Sequence, residues 1–199
     1  MFKLIRLSHK QAILWLGLAG TLLLPTLASS DMTLNAAQFS DGRTVFDTPP
    51  RLIDFMTTRD YTNDRRATYY ATVALLPETG ESLKTLQVAL ISGRFPRLAY
   101  RLDEIKVFEG ERRDRGEAFA IETAEYEDDT KTLTVRLAEA AEPGQTLTFA
   151  LKPTRNPSRE GVYLFKITAA PDGDLPVSQR VGTGRINIFR PDGRDPFDS

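Results

Sequence analysis

The sequence has no cysteine. Disulfide frameworks, thiolate zinc sites, iron–sulfur ligation and cysteine nucleophiles are thereby excluded. Histidine and tryptophan occur once each, as His9 and Trp15, both near the start of the chain. An excess of one charge sign is also lacking, with 26 Lys+Arg against 27 Asp+Glu and a formal net charge of -1. A general nucleic-acid binder needs a basic footprint, so no nucleic-acid partner is expected. Long apolar runs are missing too. The longest, Ala12–Leu24, falls short of the roughly 20 residues that span a bilayer. What is present is a globular composition, 41% hydrophobic and 27% charged over 199 residues, enough for one domain with a self-sufficient core.

The first thirty residues read as an address. Lys3, Arg6 and Lys10 form a basic region without acids, the apolar run Ala12–Leu24 follows, and Pro25 leads to the small residues Ala28, Ser29 and Ser30. This order predicts a helical secretory signal peptide over residues 1–30, cleaved after Ala28 or Ser30. The exported chain is then expected in the periplasm or cell envelope, or secreted, without stable membrane insertion. Removing the three basic residues takes the basic count from 26 to 23 against 27 acids, a net charge of -4. His9 and Trp15 leave with the segment. Without histidine there is no Ser-His-Asp or Cys-His machinery, and zinc and copper lose their usual ligands. Carboxylate pairs, a Ser–Lys arrangement or an oxygen-lined cation site would remain for chemistry.

From residue 44 onward the pattern is strands. Ile53 and Phe55 share a face in 51–58. Tyr69, Val73 and Leu75 alternate in 67–76, Leu86, Val88 and Leu90 in 83–91, and Leu98, Tyr100 and Leu102 after that, with a short turn or helix expected over 103–108. A hairpin is expected from 118–126 and 132–137 around the turn Glu127-Asp128-Asp129-Thr130, with Leu133, Val135 and Leu137 inward. Leu147, Phe149 and Leu151 alternate after Pro143-Gly144. Tyr163, Phe165 and Ile167 mark the strongest strand, 161–170, and 184–189 is the last. Short, evenly spaced strands with Pro/Gly/Asp turns and no long amphipathic helix predict an all-β fold: a single antiparallel β-sandwich, immunoglobulin-like, over residues 31–190. Residues 191–199 are expected to be a disordered polar tail.

The punctuation carries a resemblance. In order it runs Pro49-Pro50-Arg51-Leu52, Tyr69-Tyr70, Leu76-Pro77-Glu78, Gly80-Glu81-Ser82-Leu83, Phe108-Glu109-Gly110 and Pro143-Gly144. Arg155-Asn156-Pro157, Gly161-Val162-Tyr163-Leu164-Phe165, Ala170-Pro171 and Gly182-Thr183-Gly184-Arg185-Ile186 complete it. From Thr44 to Arg190 the chain resembles a family of small secreted cyanobacterial proteins that carry one domain of unknown function. Ser82 and Val107 depart from the pattern, where Pro and Ala are expected. The resemblance implies an exported β-sandwich and supplies no activity, substrate or catalytic residue. The same pieces also read as turn chemistry at Asn156-Pro157 and Pro143-Gly144, as bulges or close packing at Gly161, Gly182 and Gly184, and as core at Phe108, Tyr163 and Phe165.

Three groups qualify as candidate sites, each with a bland alternative. Glu127, Asp128 and Asp129, with Asp172 and Asp174 from a second loop, are oxygen ligands of the kind calcium takes; a solvated hairpin tip is the alternative. Arg112, Arg113 and Arg115 in Glu109–Glu117 suit sulfate, phosphate or carboxylate; a self-neutralised exposed loop is the alternative. Ser82 and Lys84 lack the spacing of a Ser–Lys nucleophile. No catalytic, cofactor-binding or metal residue is assigned, and no cofactor is expected. The first reading is a non-enzymatic interaction or structural module of the cell envelope, acting through edge strands or loops on a protein partner. The alternative is a carbohydrate-binding module for envelope or extracellular polysaccharide, with calcium assisting.

Overall fold

A computed structural model describes residues 42–94 and 98–191. The expected signal peptide, and the expected tail beyond Pro191, lie outside the described residues. Among the described residues no helix is long and apolar enough to cross a membrane.

The described residues form twelve strands: β1 (Arg43–Thr44), β2 (Arg51–Thr57), β3 (Tyr69–Ala74), β4 (Leu83–Ser92), β5 (Lys106–Glu111), β6 (Asp114–Phe119), β7 (Ile121–Glu127), β8 (Thr132–Ala141), β9 (Thr146–Leu151), β10 (Gly161–Pro171), β11 (Leu175–Pro176) and β12 (Gln179–Ile188). A first sheet has the order β12-β10-β4-β8-β7 and a second the order β2-β3-β9-β5-β6. All their pairings are antiparallel. β1 and β11 form a small parallel pair beside them. This is the antiparallel β-sandwich that the strand pattern predicts.

The period-2 pattern explains the core. Tyr69, Ala71 and Val73 on β3, Leu147, Phe149 and Leu151 on β9, and Leu133, Val135 and Leu137 on β8 are all buried between the sheets. Phe165 of β10 fills the centre, 5.0 Å from the Phe55 ring and 5.8 Å edge-on from Tyr69. The expected hairpin between β7 and β8 is present, with Lys131 at φ 54 closing its turn.

Two contacts close the sandwich along its sides. On one, β12 lies against β2. A Cβ at Gly182 would stand 2.7 Å from that of Leu52, and one at Gly184 would overlap the Phe55 ring, so close packing requires both glycines. On the other, the chain breaks pairing at Ala120 and passes from β6 in the second sheet to β7 in the first.

The structure corrects several expectations. Ile53 does not share the face of Phe55; a bulge between Leu52 and Asp54 turns it outward, 50% exposed. The segment 98–102 is not a strand. Tyr100 makes one isolated bridge to Pro153, and a 3₁₀ turn follows at Leu102–Glu104. The reason is connectivity: this segment carries the chain from β4 in one sheet to β5 in the other, so it must turn at the end of the sandwich. The expected turn over 103–108 therefore ends early, and Lys106 already begins β5. Residues 109–117 are not a loop but most of the β5–β6 hairpin, with Arg112-Arg113 at its tip. The single strand expected over 118–126 is two, in different sheets, and the last strand begins at Gln179 rather than Gly184.

Candidate interaction site

At one end of the sandwich the β2–β3 connection, the 152–160 loop and the end of β12 are tied into one unit. Asn156 makes the knot. It is 1% exposed, accepts from the Tyr69 hydroxyl at 2.9 Å, and donates to the carbonyls of Arg59 and Tyr61, both at 2.9 Å. Its own amide donates to the Asp64 carbonyl. Thr62 N–H donates to the Phe189 carbonyl and Phe189 N–H to that of Asp60, extending the unit to β12. Three loops of irregular backbone thus acquire fixed positions, as buried polar groups that are fully paired tend to impose.

On this frame stand exposed arginines. Arg94, Arg159 and Arg190 line one groove with Glu160, and Arg65, Arg101 and Arg155 line another with Thr154. Arg101 is held by Glu104 at 2.9 Å and by the Arg65 carbonyl at 2.7 Å. The side chains of Arg65, Arg94 and Arg155 have no ion pair or hydrogen bond among the described residues. Tyr61 and Phe189 are bridged through their backbones at this end, and are 49% and 51% exposed. Exposed aromatics among arginines are the composition of protein-binding hot spots. Asp64 belongs to the same loop. Its carboxylate accepts from the Arg66 amide at 2.7 Å, which holds its pKa below the ordinary carboxylate value. That direction is opposite to the one a general acid needs.

A second cationic surface lies on the outer face of the second sheet. Because Tyr69, Ala71 and Val73 point inward, Tyr70 and Thr72 point outward. Tyr70 joins Phe108 and Ala150 in a small apolar cluster of its own, with Met56 packed against it. Thr72 and Thr148 share a buried hydroxyl contact of 2.9 Å, and Thr148 donates to the Gly110 carbonyl at 2.6 Å. Gly110 has φ +82, where any Cβ would strike the Asp114 carbonyl. The β5–β6 hairpin bends there, and its arginines lie back on the aromatics. The Arg115 guanidinium is 4.7 Å from the Phe108 centroid and 6.0 Å from that of Tyr70, and Arg112 is 5.8 Å from Tyr70.

The sequence candidates fare differently. Glu127, Asp128 and Asp129 sit on the β7–β8 turn beside the Asn156 end, whereas Asp172 and Asp174 follow β10 at the opposite end, so the two groups do not converge. Within the turn, Lys131 pairs with Asp128 at 3.1 Å and also donates to its carbonyl, and Thr130 donates to Glu127 at 2.7 Å. Ser82 donates to Glu142 at 2.9 Å and Lys84 to the Ala138 carbonyl at 2.8 Å, so neither serves the other. Around Arg112 and Arg115 the charges divide only in part. A register shift in the β5–β6 pairing sets Arg115 on the face of Phe108, while Glu109 and Glu117 line a groove with Glu139 and Glu142, and Arg112 and Arg113 share a groove with Asp54 and Glu111. Phe108, expected in the core, is buried on this outer face instead. Sequence reading missed the arginine-rich end, because its members are scattered from Arg59 to Arg190 and only the topology gathers them. Asn156, read as turn chemistry, is that and more: the signal for its role was a polar residue before proline opposite a tyrosine-rich strand. Burial also pushes the hydroxyl pKa values of Tyr69, Tyr100 and Tyr126 upward.

Residues 43–188 match the model of a family described as a protein of unknown function, DUF2808. No curated protein matches the sequence. Among solved structures, the chain is similar to the collagen-binding domain of a Staphylococcus aureus adhesin at 5% identity, covering 72% of this chain and 98% of that one, with a TM-score of 0.40. It is similar to BcpA, the major pilin subunit of Bacillus cereus, at 12% identity over 70% of this chain and 40% of that one, TM-score 0.42. The C-terminal domain of the Streptococcus pyogenes antigen I/II-family protein AspA is similar at 13% identity, over 71% and 47%, TM-score 0.40. The chain spans less than half of the last two structures.

Proposed function

The chain belongs to the DUF2808 family, whose function is unknown, and from that premise we propose that it is an exported, non-enzymatic interaction module of the cell envelope. It carries a single β-sandwich domain and binds an acidic protein partner through its arginine-rich loop end. The observation that carries this reading is the set Arg65 and Arg155, on loops fixed by Asn156, with Arg94 just past β4, all exposed and with side chains unpaired among the described residues, at the end that also exposes Tyr61 and Phe189. A guanidinium presents paired donors that match a carboxylate, and half-exposed aromatics supply apolar area to bury. The free edges point the other way: β6 and β7 carry Asp114, Glu117, Glu122, Glu125 and Glu127 along their length, a guard against strand addition. Export, and the cyanobacterial envelope as its setting, rest on the leader pattern and the resemblance in the sequence.

The test is a pull-down from solubilised envelope with tagged residues 31–199, before and after digestion of polysaccharide. An R65E/R94E/R155E variant runs alongside. One protein retained by the unaltered chain, resistant to digestion and lost from the variant, supports the reading. Equal retention by the variant overturns it.

A second reading, binding of envelope polysaccharide, is favoured by one observation. On the outer face of the second sheet Lys106, Arg112, Arg113 and Arg115 have no carboxylate partner among the described residues.

A further inference from the structure

We propose that the groove on the outer face of the second sheet is a subsite for one uronate residue of an anionic polysaccharide. The inference rests on the polysaccharide reading and names the sugar chemistry it would recognise. The groove, of about 380 Å³, is of a size with small-ligand sites, whose lower range is ~300 Å³. Its floor is Tyr70, Phe108 and Ala150, and Lys106, Arg115 and Lys152 surround it.

Arg115 is the anchor. It lies over Phe108 at 4.7 Å, donates from Nη2 to the Tyr70 hydroxyl at 3.3 Å, and donates from Nε to the Arg112 carbonyl at 3.1 Å. These contacts fix the plane of the guanidinium and occupy Nε and Nη2, leaving Nη1 without an acceptor. Arg112 stands over the same tyrosine at 5.8 Å, so two cations share one ring, and neither has an ion pair among the described residues. Lys106 is exposed, and its side chain has no hydrogen bond or ion pair among the described residues. Lys152 spends its ammonium on the Thr68 hydroxyl at 3.1 Å and the Arg66 carbonyl at 3.4 Å, and lends charge without being the donor. A carboxylate between Arg115 and Lys106 would meet two donors and relieve the repulsion between guanidinium groups.

The acids of the same groove decide which anion. Asp103 and Glu104 line it. Glu104 is committed to Arg101 at 2.9 Å, whereas Asp103 has no ion pair among the described residues. A bare sulfate would face these acids with nothing to donate. A sugar carboxylate brings hydroxyl donors with its anion, and Asp103 accepts from a hydroxyl of the same ring. Cations and a free acceptor in one groove, between the β5–β6 hairpin and the 3₁₀ turn, match a ring bearing both groups.

The test is calorimetric titration of the full-length protein with a galacturonate oligomer and with the same oligomer methyl-esterified, beside Lys106→Gln and Arg115→Lys variants. Lys106 is exposed and its replacement leaves the fold intact, which thermal melting checks. The expected result is binding of the free acid, at least tenfold weaker to the ester and roughly tenfold weaker in each variant, since one lost charge-assisted contact costs about that factor. Equal affinity for acid and ester overturns the uronate assignment. Undiminished binding by both variants removes the site from this groove while leaving the polysaccharide reading standing. Absence of binding to the oligomer, together with retention of envelope polysaccharide, sinks the sugar identity alone; absence of both sinks the two together.

Discussion

Asn156 illustrates what a single amide does when it is buried. It spends its oxygen on a tyrosine from β3 and its two amide hydrogens on carbonyls of the β2–β3 connection. No other side chain of that size both accepts and donates twice. Replacing it with alanine leaves the buried Tyr69 hydroxyl without its acceptor and takes one donor each from the carbonyls of Arg59 and Tyr61, which keep those of Thr57 and Asp64. Stability is expected to fall by about 2 kcal/mol, the cost of one unmet buried hydroxyl and two lost hydrogen bonds, as read from urea unfolding. A Tyr69→Phe change in that background should cost little more, because the hydroxyl has already lost its acceptor. Non-additivity of this kind marks a shared network.

At the scale of the element, the closest packing is between β12 and β2. Gly184→Ala places a methyl group in the Phe55 ring. With Phe55 itself 5.0 Å from Phe165, there is no space for the ring to yield. A loss of about 2 kcal/mol is expected, within the range of overpacked cores, and differential scanning calorimetry would measure it. The elements were also where the sequence was most legible. Runs such as Leu133-Thr134-Val135-Arg136-Leu137 have one buried and one wet face, and that alternation survives in the amino acids. β5 was hidden because Val107 and Phe108 are both buried, one in the core and one outside it, which erases the period. The break at Ala120 was hidden because a strand changing sheets keeps its β-propensity throughout. Ile53 misled because a bulge shifts the phase by one residue without altering composition. The loop-end arginines were illegible for a different reason. Their proximity belongs to strand order, which local pattern does not encode.

For the whole molecule, the matched family region and the two sheets cover nearly the same residues, 43–188 and Arg51–Ile188. A fragment of residues 42–191 contains both closures of the sandwich and the β1–β11 pair, and is expected to fold alone. Its melting temperature should lie within a few degrees of that of the full chain, with the same far-ultraviolet circular dichroism; a melt lower by tens of degrees would show that the flanking residues are needed. Arg59, Arg65, Arg94, Arg155 and Arg190 gather at the Asn156 end, beside the Glu127-Asp128-Asp129 turn and Glu160, and Asp47, Glu78, Glu142, Asp172 and Asp174 belong to the other end. Association with an acidic partner at the loop end is expected to weaken as salt rises.

The small parallel pair of β1 with β11 lies at the acidic end, and Phe189, just past β12, is bonded to the loops at the arginine-rich end. The path of the backbone therefore enters the sandwich at one pole and leaves at the other. A pull applied to residues 42 and 191 runs along the strands, not across them. β12 would have to slide past β10 with the hydrogen bonds between Gly161↔Ile188 and Ala169↔Gln179 loaded together, whereas a hairpin pulled from its open end parts one bond at a time. Under such a load, the lifetime of the fold is expected to follow the rate of breaking that shear line rather than its equilibrium stability.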